Sequence, residues 1–189
     1  MSKPSVDADP MLPIQDDDHV AGPDTAAITL VAYCDFECPY CGRAYPIIKQ
    51  LRARLIDRLR FIFRHFPLIH KHPLAQQAAE AAEAADAQGR FWDMHDLLFE
   101  HQEDLENRHL LAYAEYLSLD VGRFEQELVG RVHEQRVNRD VRSGRRSGVT
   151  GTPTFFLNGD RHTDEETLER LVLRASGGGP HTEKHHTDH

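Results

Sequence analysis

The spacing of the cysteines constrains this chain more than any other feature. All three fall within eight residues, as Cys34, Cys38 and Cys41, and the last two frame the tetrad Cys38-Pro39-Tyr40-Cys41. Just before them, residues 27–33 (AITLVAY) form a short apolar run rich in β-branched side chains, which reads as a buried strand. Just after Cys38, a stretch from Pro39 to about residue 59 carries Ile47, Ile48, Leu51, Leu55 and Ile56 at helical spacing. Pro46 falls inside it and is expected to kink the helix rather than abolish it. Residues 59–66 (LRFIFRHF) suit a second central strand. Strand, helix and strand in this order make a βαβ unit with parallel strands, and the C-x-x-C motif sits where the first strand gives way to the helix.

That position has chemical consequences. The first N–H groups of a helix have no intrahelical partner, and the positive end of the helix dipole favours an anion there. A cysteine so placed is expected to ionise below the ordinary thiol value of about 8.5. Pro39 in the first turn loses no helical hydrogen bond. Cys41, one turn further on, can attack a mixed disulfide at Cys38 and release what is bound there. Cys38 is therefore the candidate nucleophile, Cys41 the resolving thiol, and Cys38–Cys41 the candidate disulfide. The competing reading is half of a zinc site. It would need two further ligands, and the chain offers no second paired cysteine motif, only the weak pair His70 and His72. No dedicated metal site is expected.

Residues 73–146 read as helical almost throughout. An Ala-rich stretch (74–88) stops at Gly89, a further segment (91–101) follows, and then come 110–117, 121–128 with Asp120 as candidate N-cap, and an arginine-rich helix from about 129 to 146. This block is expected to form an inserted all-helical subdomain, a satellite to the sheet. Beyond it, Thr154 to Leu157 reads as a strand, Asn158-Gly159 as a hairpin turn, and Thr163 with Glu166 as a capping box before a helix ending near Arg174. The organisation is then a tail at 1–17, a first half-domain at 18–72, the insertion at 73–146, a second half-domain at 147–175 and a histidine-containing tail at 176–189. The fold class is α/β, a mixed sheet flanked by helices. With 22 basic against 31 acidic residues, the net charge of −9 argues against a nucleic-acid partner. No apolar run of about 18 residues is present, so no membrane span is expected. Residues 1–20 carry one Lys and five Asp and lack an apolar core segment, which points to a cytoplasmic address.

A second signal is Gly151-Thr152-Pro153-Thr154, directly before an apolar strand. Beside a βαβ unit bearing C-P-Y-C, it suggests a cis proline at Pro153 facing the cysteines, with the Thr152 backbone free to pair with an extended substrate. Taken in order, FECPYCGRAYP, RHFPL, GRFWDMHDLLFE and GVTGTPTFFLNG resemble the DsbA-like thioredoxin-fold thiol:disulfide oxidoreductases, from about residue 19 to 174. The resemblance implies Cys38 as exposed nucleophile, Cys41 as its buried partner, Pro153 as the cis proline and Thr152 as its tuning neighbour. It also implies no bound cofactor, with an external thiol or reductase recycling the pair, and protein or peptide thiols and disulfides as substrates. Many thioredoxin-fold proteins hold a buried acid six residues before the first cysteine. Here that position is Ala32, leaving Asp35, Glu37 or water to take its part.

Phe36 and Tyr40, flanking the cysteines, are expected to be exposed and to touch unfolded peptide. Cys34 reads as an inert buried cysteine, and Phe91, Trp92, Met94 and His95 as helix packing. His65 reads as structural. Arg139, Arg142 and Arg146 share a helix face expected to be solvated. Two other functions remain open: a glutathione-linked transferase or isomerase, which needs only one nucleophile, and a non-catalytic redox-sensing, peptide-binding module.

Overall fold

The computed structural model describes residues 12–163 together with Leu168 and Arg170. Five strands, β1 (His19–Ala21), β2 (Ile28–Cys34), β3 (Leu59–His65), β4 (Thr154–Leu157) and β5 (Asp160–His162), make one mixed sheet in the order β1-β3-β2-β4-β5. Helix α1 (Pro39–Arg54) connects β2 to β3, which run parallel with Leu30 opposite Phe61 and Cys34 opposite His65. Both strands are central and covered on each face, so β2 is almost continuously apolar, while β3 buries Phe61, Ile62 and Phe63 together with the polar Arg64 and His65. Helix α1 runs through Pro46 and ends earlier than its apolar spacing implied, because Leu55 leaves the helical region (φ −114°, ψ 36°) and a turn leads into β3. Strand β1 was not foreseen; three residues carry no readable period.

Five helices separate β3 from β4: α2 (Ala75–Asp86), α3 (Phe91–Glu100), α4 (Asn107–Tyr116), α5 (Val121–Val129) and α6 (Glu134–Arg146). Asp120 caps α5 by accepting from Arg123 N at 2.9 Å. Gly89, at φ +75°, ends the α2 region in a conformation that other residues rarely adopt. The insertion is helical as expected, but it is no satellite. Ala78, Ala81, Met94, Leu98, Leu110 and Phe124 join Leu30, Ala32, Phe61 and Phe63 in one hydrophobic core. The helices need the sheet to cover their apolar stripes, and the sheet needs them. Helix α6 lies against the opposite face, with Val31, Tyr33, Ile62, Phe66 and Val141. Gly144 permits that approach, since a Cβ there would meet Phe66 at 2.8 Å.

Residues 12–18, read from sequence as tail up to residue 17, are held against β3 and α6. The cause is Arg64, a β3 side chain only 1% exposed. A buried guanidinium needs a counter-charge and acceptors. Asp18 supplies the first, accepting from Arg64 Nε at 2.9 Å and Nη2 at 2.6 Å. The carbonyls of Leu12 and Pro13 supply the second, at 3.2 and 2.9 Å. Asp17 pairs with Arg139, so that arginine is not simply solvated. The β4–β5 turn has Asn158 at φ 49° and Gly159 at φ 93°, as the Asn-Gly signal implied. The capping box at Glu166, the helix expected up to residue 174 and both outer tail segments (1–11 and 176–189) lie outside the described residues.

Candidate active site

Cys38 occupies the N-cap of α1, with extended backbone (φ −73°, ψ 121°), and Pro39 follows in the first turn. The strand β2 ends at Cys34, and residues 35–37 carry the chain across the sheet's edge to that N-cap. Cys38 N donates to Asp35 O at 3.1 Å, closing the turn. The Thr152–Pro153 bond is cis, and the Cys38 thiol donates to Thr152 O at 3.4 Å. Thus residues 38 and 152, far apart in sequence, meet where α1 begins and β4 approaches. Cys41 Sγ lies beneath, accepting from Asp35 N at 3.5 Å. All three cysteines are free thiols.

The nucleophile is less open than expected. Cys38 is 2% exposed, covered by the Thr152–Pro153 loop, while Cys41 lies deeper at 1%. The expected depression of the Cys38 thiol is also absent in the dithiol state. Its hydrogen bond to Cys41, and then burial, push the Cys38 thiol up, while the Thr152 contact and the Cys41 backbone N–H act the other way. Burial above all pushes the Cys41 thiol well up. Two adjacent thiols cannot readily both ionise. The shallower one, at the helix N-terminus, is where a thiolate is better stabilised.

Of the two aromatic candidates, Tyr40 is 57% exposed and carries Arg43 over its ring at 4.4 Å. Phe36 is different. It is 1% exposed and packs on Phe99 (4.8 Å between centroids), Phe63 (5.2 Å), His95 (5.8 Å) and His65 (5.9 Å). Helix α3 folds over the loop and takes Phe36 into the core, so it offers no contact to a peptide. Phe91, Met94 and His95 are buried packing residues of the same box.

The acids near the motif are already committed. Asp35 Oδ1 accepts from Glu37 N at 2.8 Å, and Oδ2 accepts from Leu68 N at 2.8 Å and pairs with His72 Nδ1 at 2.7 Å. Glu37 Oε2 accepts from Leu74 N at 2.7 Å. Both carboxylates brace the loop that follows β3. Sequence reading missed Gln102, whose Nε2 donates to Phe36 O at 2.7 Å and Cys38 O at 2.9 Å. It lies just past α3 and ties the motif to the insertion; no local pattern marks it. Gly42 leaves room for it, since a Cβ there would collide with the Gln102 side chain.

Among the described residues, His19, His65 and Glu83 form a buried group with donor atoms within 4.8 Å of one another. Glu83 Oε1 bonds His19 Nε2 at 2.6 Å and His65 Nε2 at 2.7 Å, and Arg136 Nε lies 3.8 Å from Oε2. A cation there would have to displace these bonds and face the guanidinium, so the group works as a buried hydrogen-bond network. His65 is structural in this sense. No helix of the described residues is long and apolar enough to cross a membrane.

Comparison with known proteins agrees with this fold. A family model described as thioredoxin matches residues 15–173. A Na(+)/H(+) antiporter, NhaA 3 of Salinispora tropica, is 51% identical over 166 residues, which are 86% of this chain but 25% of that protein. The chain therefore spans about a quarter of the length of this relative. Two crystal structures share the fold: a thioredoxin-like oxidoreductase from Silicibacter pomeroyi (TM-score 0.73, 23% identity, 87% of this chain and 95% of that one) and oxidised BdbD from Bacillus subtilis (TM-score 0.73, 22% identity, 84% and 91%).

Proposed function

This chain belongs to the thioredoxin family, and from that premise we propose that it is a thiol:disulfide oxidoreductase working through a Cys38 mixed disulfide that Cys41 resolves. The observation that carries the reading is the Cys38 thiol 3.4 Å from Thr152 O at the N-cap of α1, with the Cys41 thiol one turn on and buried, 3.5 Å from Asp35 N. A substrate disulfide sulfur is attacked by the Cys38 thiolate, and the substrate's other sulfur leaves as a thiolate and takes a proton. Cys41 then loses its proton to solvent and attacks Cys38 Sγ. The Cys38–Cys41 bond forms and the reduced substrate departs. Run backward, the same steps oxidise a dithiol.

No bound cofactor is required, since an external thiol or a reductase restores the dithiol. The exposed Tyr40 and the backbone at Thr152 are the surfaces offered to a peptide substrate, and Phe36 is not. The cytoplasmic address read from the sequence belongs to this proposal, and a reducing compartment favours the reductive or isomerising direction. The relative's antiporter name belongs to a much longer protein, of which this chain matches about a quarter, and the reading does not rest on it.

Insulin reduction coupled to dithiothreitol, run on wild type, Cys38→Ser and Cys41→Ser, tests this directly. Cys38→Ser is expected to abolish turnover, and Cys41→Ser to accumulate a mixed disulfide at Cys38. Full exchange activity in Cys38→Ser refutes the reading. Undiminished turnover in Cys41→Ser indicates a transferase, which needs a single nucleophile.

A further inference from the structure

The exchange reading uses two thiols of three. Cys34 closes β2, is 3% exposed and faces the same core as Cys38 and Cys41. Cys41 Sγ lies 3.5 Å from Asp35 N, the peptide nitrogen bonded to the Cys34 carbonyl carbon. Standard backbone dimensions place that nitrogen about 2.4 Å from Cys34 Cα, so Cys41 Sγ is within about 6 Å of Cys34 Cα. Besides burial, the neighbouring Cys34 thiol pushes the ionisation of Cys41 up, and the Cys41 thiol pushes that of Cys38 up. Cys41 thus has two sulfur neighbours, one at the helix N-terminus and one at the end of the strand. Closing a Cys34–Cys41 disulfide, whose Cα atoms would then lie roughly 4.4–6.8 Å apart, calls for a side-chain movement that brings the two sulfurs to bonding distance.

We propose that Cys34 is a third redox-active thiol, and that Cys41 forms alternative disulfides, with Cys38 beneath the Thr152 loop or with Cys34 in the core. The proposal rests on the exchange reading for its biological use, though not for its chemistry. Starting from the Cys38–Cys41 disulfide, Cys34 gives up its proton and its sulfur attacks Cys41 Sγ. The Cys34–Cys41 bond forms, the Cys38–Cys41 bond breaks, and Cys38 leaves as a thiolate that takes up a proton. The protein is neither oxidised nor reduced overall, and no co-reactant is consumed. Burial penalises a thiolate but not a neutral disulfide, so the core tolerates the new bond.

The consequence concerns the direction of the chemistry. With its disulfide parked inside, the oxidised protein presents Cys38 as a free nucleophile, and Cys41 is no longer available to resolve a mixed disulfide. A substrate held on Cys38 must then be released by one of its own thiols, which rearranges substrate disulfides instead of adding or removing one. A protein substrate carrying several cysteines is the chemical class this serves.

The test removes the competing partner. Purified Cys38→Ser, shown by circular dichroism to be folded, is treated with diamide, a two-electron thiol oxidant. It is then denatured and alkylated with a maleimide, and its peptides are mapped by mass spectrometry. The expected result is a monomer that loses both remaining thiols and yields a peptide pair joined at Cys34 and Cys41, with Cys34→Ala/Cys38→Ser keeping its single thiol. Retention of both thiols in Cys38→Ser, under conditions that close Cys38–Cys41 in wild type, overturns the proposal, and so does a disulfide-linked dimer. Absence of insulin turnover in wild type would sink the exchange reading alone and leave this outcome untouched.

Discussion

His95 gives the protein an acid sensitivity that can be calculated. Its ring is 3% exposed and boxed by Phe63 (4.9 Å), Phe99 (5.1 Å), Trp92 (5.2 Å) and Phe36 (5.8 Å), with Asp96 Oδ1 at 2.9 Å from Nδ1. Burial among these rings pushes its pKa down from 6.5 to about 4, and the hydrogen bond to Asp96 offsets only part of that. The unfolded chain therefore binds a proton near pH 6.5 that the folded chain refuses until about pH 4. Stability is full above the unfolded value and falls as pH drops through this window. The whole window is worth about 3 kcal/mol, and about 2 kcal/mol of it is gone by pH 5.

Replacing the ring removes this term. His95→Leu keeps the site apolar, and Asp96 keeps Lys49 Nζ at 3.4 Å. Urea unfolding, followed by the fluorescence of the single tryptophan Trp92, is measured for both proteins near pH 7.5 and near pH 5. His95→Leu is expected to lose about 2 kcal/mol less than wild type between the two conditions, whatever its stability at neutral pH. Equal losses in the two proteins would show that His95 is already charged in the folded state, and the burial reasoning would fail. An NMR titration giving His95 an ordinary midpoint near 6.5 would refute it equally.

Other perturbations separate packing from chemistry. Phe36→Ala is expected to cost roughly 3–5 kcal/mol in chemical denaturation, because it empties a box shared by β3 and α3; a stable variant with weakened peptide binding would instead restore Phe36 to the substrate surface. Glu83→Gln removes the charge facing His19, His65 and Arg136, and a loss of roughly 3–5 kcal/mol is expected at neutral pH. Burial pushes the Glu83 carboxyl up, but the bonds to His19 and His65 outweigh it and hold the group below its ordinary value of 4.5, so the wild type loses that stabilisation as pH falls from about 4.5, and Glu83→Gln should show a flatter profile there.

The βαβ unit was legible because its signals are local. Residues 28–34 and the centre of 59–65 are apolar runs of strand length, Pro39 suits a helix start, and Asn158-Gly159 turns by its own backbone preferences. The same holds for Asp120, which caps the helix that begins one residue later. Failures cluster where burial is decided by a distant element. Phe36 looks like an exposed loop aromatic until α3 closes over it. Residues 12–17 look like a charged tail until Arg64, buried in β3, draws Asp18 and two carbonyls onto itself.

The sequence alone determined where the thiol pair proposed to carry the chemistry lies, since a C-x-x-C at a strand-to-helix junction is written in consecutive residues. It also determined the parallel strands around that junction and the helical nature of the insertion. Tertiary structure alone decided how open and how acidic those thiols are. Exposure depends on the Thr152 loop arriving from more than a hundred residues away, and the thiol's ionisation on which atoms surround it. Both are properties of long-range contacts, and no local pattern encodes them.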